Sequence, residues 1–192
     1  MLTLEDYGYY AVAALFSTAL MQVLAPISQT YFVVFSQNTA HKDIGKLMAS
    51  LHLSTQFTLA LIAPFAFFLC VFSAEILFLW SSQPELTLKV SPILSLLAAG
   101  TFLNILTNPL YNLGLAYGKV GIFLKINSIG ALFFIPGLFL ITPIYGSEGA
   151  ALIWISLGVY YVVAIPASIF KILPVFDKKK WLSEDVLPPI FG

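Results

Sequence analysis

Residues 90–118 read VSPILSLLAAGTFLNILTNPLYNLGLAYG, without a single Asp, Glu, Lys or Arg. An α-helix rises about 1.5 Å per residue, so roughly 20 residues cross the ~30 Å hydrocarbon core of a bilayer, and this run is longer than that. Four further runs are equally free of charge: residues 7–40, 47–74, 126–147 and 149–170. None shows the alternating ten-residue segments of a transmembrane β-barrel. The chain as a whole agrees, being 59% hydrophobic and 9% charged with a mean hydropathy of +0.93. A soluble domain carries about 25% charged residues. The sequence therefore predicts an all-α membrane protein with about five transmembrane helices, roughly 7–36, 49–80, 86–117, 120–141 and 149–173. Residues 1–173 form the bundle in this reading, and 174–192, charged and proline-punctuated, form a tail.

All nine basic residues are lysines. With five crossings, the flanks carrying Lys42 and Lys46, Lys119 and Lys125, and Lys171 with Lys178, Lys179 and Lys180 fall on one side. Lys89 alone falls on the other. Positive charge accumulates on the cytoplasmic side, so the expected orientation places the N-terminal end outside and the tail in the cytoplasm. Tyr7, Tyr9, Tyr10, Trp80, Tyr117 and Tyr145 stand near the helix ends, where amphipathic rings meet headgroups. The first charges are Glu5 and Asp6 and no basic stretch precedes the apolar run, so a cleavable signal peptide is not expected. Cys70 is the sole cysteine, which excludes an intrachain disulfide and fits a packing role.

Polar residues within the apolar runs are the candidate functional residues. Asn104, Asn108 and Asn112 recur every four residues along one helix face. Pro109 frees the Ile105 carbonyl at the same level. Two readings stay open for this stripe: interhelical hydrogen bonding, about 0.6 kcal/mol per contact, or the wall of an aqueous cavity that binds sugar or headgroup. Lys125, with Asn127 two residues on, either snorkels to the interface or meets a phosphate as a point charge. Gln22 and Gln29, seven residues apart, share a face, and with Gln56 they either line a cavity or join helices. Pro26, Pro64, Pro92, Pro109, Pro136 and Pro166 are ordinary membrane-helix prolines or bends that frame such a cavity. Catalytic signatures are missing. His41 and His52 have no partner at metal-ligand spacing, and there is no nucleophile elbow, phosphate-cradling glycine loop or acidic pair at membrane depth. Neither an enzyme, a cofactor, a metal site nor a nucleic-acid partner is expected.

Several stretches carry a family resemblance: LEDYGYYAVA at 4–13, AEILFLW at 74–80 and PILSLLAAGTFLNILTNPLYNLGLAYGK at 92–119. To these add the pattern P-x-Y-G-x-x-G-A-A through Pro143, Tyr145, Gly146, Gly149, Ala150 and Ala151, and the later Trp181, Asp185 and Pro188. In order and spacing they resemble the polysaccharide-export, O-antigen flippase branch of the multidrug/oligosaccharidyl-lipid/polysaccharide exporter superfamily, across essentially the whole chain. The resemblance implies helices eight to twelve of about fourteen, which is most of the C-terminal lobe of a MATE-like flippase, with the tail leading toward a further helix. It also implies a bacterial inner-membrane location and a lipid-linked oligosaccharide as substrate, carried on undecaprenyl diphosphate. The partners would be membrane lipids and the N-terminal lobe of the same protein. Relatives often carry a Pro-Arg pair where Val33 and Val34 stand here, so that arginine's phosphate contact does not carry over. A drug/cation antiporter of the MATE branch is the nearest alternative, although such antiporters use membrane-embedded carboxylates that this chain's spans lack. A membrane-embedded glycosyltransferase or polymerase would need larger charged loops. A non-transporting scaffold would use the asparagine stripe only to join helices.

Overall fold

The structure, a computed structural model, describes residues 3–173 and 181–188. Lys178, Lys179, Lys180 and residues 189–192 of the expected tail lie outside the described residues. Helix α1 (Leu4–Ala40) begins with a capping box: the Thr3 hydroxyl accepts from the Asp6 N–H, and the Asp6 carboxylate takes the Thr3 N–H. Helix α2 (Ile44–Val71) starts from Asp43, whose carboxylate accepts the Lys46 N–H at 3.0 Å. That backbone bond, then the Lys46 ammonium, holds the Asp43 carboxyl below the usual carboxylate range. Helices α3 (Ser73–Ser81), α4 (Pro84–Leu106), α5 (Asn108–Ala116) and α6 (Val120–Ile172) follow, then a π-helical turn, Trp181–Val186.

Where two uninterrupted helices are expected over 49–80 and 86–117, each is broken once. Phe72 leaves helical geometry at φ −103° and ψ 26°, separating α2 from α3. The Ser95 hydroxyl from α4 donates to the Cys70 carbonyl at 2.8 Å and lies 2.8 Å from the Ser73 hydroxyl, so the break is satisfied from the neighbouring helix. The second break, at Thr107, has a proline cause. Pro109 offers no N–H to Ile105, and the Thr107 hydroxyl donates to the Asn104 carbonyl at 3.0 Å. The other prolines inside helices leave them continuous.

The expected loop at 142–148 shrinks to one residue. Gly146, at φ 59° and ψ −143°, is the only non-helical position in the 53 residues of α6. A straight helix of that length would run about 80 Å, far more than a bilayer. Instead the two arms fold back on one another. The Tyr160 hydroxyl donates to the Ile126 carbonyl at 3.1 Å, Gly130 faces Leu157 and Gly137 faces Ile153. Only glycine adopts that backbone conformation without strain.

The result is an all-α membrane protein with no strand among the described residues. Four helices are long and apolar enough to cross a membrane, with α4 and α5 counting as one span. One end of the bundle gathers Ala13 of α1, Leu77 of α3, Val90 of α4 and Ala151 beyond the Gly146 turn. The other gathers Phe35, Leu47, Leu113, Phe123, Ile169 and Trp181. Between them Leu20, Leu24, Ile62 and Ile105 fill the middle. This alternation puts Lys42, Lys46, Lys119, Lys125 and Lys171 at the second end. Lys89 stands at the first, 3.0 Å from Glu5 and 3.3 Å from Glu85.

Candidate functional site

Asn108 and Asn112 are brought together with a third group from another helix. Asn112 is buried at 6% exposure, and its amide donates to the Ser28 hydroxyl of α1 at 2.8 Å and to the Asn108 side-chain oxygen at 2.9 Å. A buried carboxamide with its donors satisfied ties α5 to α1, which is the interhelical use of the stripe. Asn104 does not join them. Its amide donates to the Gly100 carbonyl of its own helix at 2.9 Å.

Gln22 and Gln29 lie elsewhere. Both are exposed, on the side of α1 that also carries Pro26 and Val33, while Ser17, Leu20, Leu24 and Phe35 are buried on the opposite side. Neither makes a hydrogen bond among the described residues. Gln22 stands halfway along α1. Lys125 and Asn127 are exposed on the first arm of α6, near the lysine-rich end. The eight residues thus divide among separate faces. An apolar cleft of about 570 Å³ between α2 and α4, lined by Pro64, Phe67, Cys70 and Phe102 among others, contains none of them.

Gln56 joins α2 to the Trp181–Val186 turn. Its amide donates to Oδ1 of Asp185 at 2.8 Å and to the Glu184 carbonyl at 3.3 Å. The second Asp185 oxygen bonds Nδ1 of His52, one turn earlier on α2. The partner of His52 thus comes from over a hundred positions away in sequence, as a hydrogen-bonding carboxylate. No group able to hold a metal ion occurs among the described residues. Beside this pair the Trp181 indole donates to the Thr55 hydroxyl at 3.1 Å, and Thr55 donates to the Leu51 carbonyl at 2.9 Å. The legible signal was His52, Thr55 and Gln56 at helical spacing on one face.

A second polar node was also missed. Ser17 of α1 and Thr101 of α4 hold their hydroxyls 2.7 Å apart, and the Trp154 indole of α6 donates to Thr101 at 3.2 Å. Three helices meet there because Gly100 and Gly158 let α4 and α6 approach closely.

Comparison with protein-family models, curated proteins and solved structures gives no match.

Proposed function

We propose that this chain is part of a membrane transporter, a flippase that moves a lipid-linked oligosaccharide across the bacterial inner membrane. The single observation that supports this most is the outer face of α1. Gln22 and Gln29 sit within a membrane-length helix, turned away from the bundle and unpaired among the described residues. Carboxamides are costly against hydrocarbon, so this face borders water or further polypeptide. A polar face on a helix otherwise packed into a lobe is what one wall of a transport path requires. In this reading α6 crosses twice, giving five crossings, and the lysine-rich end is cytoplasmic. The sequence resemblance to polysaccharide exporters adds the substrate class. The antiporter reading draws less support: the buried carboxylate among the described residues, Asp185, lies at the lysine-rich end rather than in mid-span.

The test replaces Gln22 and Gln29 together by leucine in cells that depend on this protein for surface polysaccharide. The transport reading expects export to fall about tenfold, or about 1.4 kcal/mol, at unchanged protein abundance. A scaffold would instead lose abundance and export together. Unchanged export would remove α1 from the path and overturn the proposal.

A further inference from the structure

The turn Trp181–Val186 is six residues long, too short for a helix to hold itself in water. Its order comes from what it touches. Trp181 and Val186 are each 3% exposed and Asp185 is fully buried, whereas Leu182, Glu184 and Leu187 are exposed. The buried side chains face α2, and the Trp181 ring also lies 5.8 Å from that of Phe170 near the end of α6. The turn packs chiefly on α2 and touches the end of α6 through the Trp181 ring.

Two kinds of interaction hold it. Trp181 and Val186 supply apolar area within the cluster that contains Leu51, Leu59 and Ile169. Asp185 supplies register. A fully buried carboxylate is tolerated only when its lone pairs are taken up, and here Gln56 and His52 take one oxygen each. Both donors, together with the Thr55 acceptor for Trp181, sit on one face of α2 within a little more than one turn. A rotation of α2 withdraws all three together, and a slip of the turn along α2 strands the carboxylate. Partial seating is therefore unfavourable.

We infer that residues 181–188 are a releasable strap that fixes the rotational position of α2 against the end of α6, with Asp185 as its catch. The strap does not depend on the transport reading. Its released form is an unstructured segment, and its seated form is the one described above.

The test uses the complete chain in lipid, with Cys70→Ser removing the native thiol and Val186→Cys as reporter for maleimide. Seated, the Val186→Cys thiol reacts much more slowly than a Leu187→Cys thiol beside it. Asp185→Ala should accelerate it about tenfold or more, the scale of losing charge-assisted hydrogen bonds. Gln56→Glu, a change at an exposed position that sets a second carboxylate against Asp185, should do the same. Equal reactivity of the two reporter thiols in the parent would overturn the strap, as would rates indifferent to both variants. Hydrogen exchange in the chain with native Val186 supplies the control. The strap expects faster exchange over 181–188 alone, whereas loosening throughout α1 and α4 would make the segment part of the fold and sink the idea.

Discussion

At the scale of single residues, Gly100 marks a close approach of α4 to the second arm of α6. A Cβ added there would lie 2.5 Å from a Trp154 ring carbon and 3.1 Å from the Ile155 backbone nitrogen. The backbone contact has no flexible end to give way, so Gly100→Ala forces α4 and α6 apart and disturbs the bond from Trp154 to Thr101. The expected cost is about 1–3 kcal/mol, read as a lowered thermal midpoint in detergent. An unchanged midpoint would mean that the helices separate freely at this level. The asparagines show how much of the site was legible at this scale. Their spacing put Asn108 and Asn112 on one face, and Ser28 confirms that this face meets a helix. Asn104, four residues before Asn108, instead spends its amide on the Gly100 carbonyl of its own helix. The pairing of His52 with Asp185 was invisible for another reason: no periodicity relates groups joined only by tertiary packing.

Elements were legible to the extent that hydrophobic length decides them. Charge-free runs locate every long helix, and Pro109 marks one of the breaks. Phe72 carries no such mark; its break depends on hydroxyls contributed by α3 and α4. The predicted helices 120–141 and 149–173 leave Gly146 in a loop between them. The chain instead turns on that one residue. Nothing lies within 4 Å of a Cβ built on Gly146, so steric room is not at issue. Gly146→Ala should still destabilise the hairpin by about 1–3 kcal/mol through backbone strain alone. Chemical unfolding followed by tryptophan fluorescence would show it, and a neutral result would indicate that the turn relaxes into the helical region.

For the whole molecule, the distribution of lysines and the path of the chain are independent facts that agree. Ends that share one charge class also share one apolar cluster, around Phe35, Leu113, Phe123 and Ile169. Cysteines placed at Lys42 and Lys119 in a Cys70→Ser background should react with a membrane-impermeant reagent from the same side, and one at Ser82 only from the other. Labelling of Lys42→Cys and Lys119→Cys from opposite sides would break the up-and-down arrangement. What composition could not convey is which apolar faces meet each other, since lipid-facing and buried side chains have the same chemistry in a bilayer.

The one-residue turn at Gly146 also bears on how the chain is made. Neither arm of α6 comes with a hydrophilic segment between them that could be threaded across a membrane and left there. Leu132, Phe133, Ile135 and Phe139 of the first arm are exposed, as are Leu152, Val159 and Val163 of the second. With no polar stretch to hold them apart, the two arms satisfy their backbone groups within themselves and are suited to entering a bilayer as one paired unit.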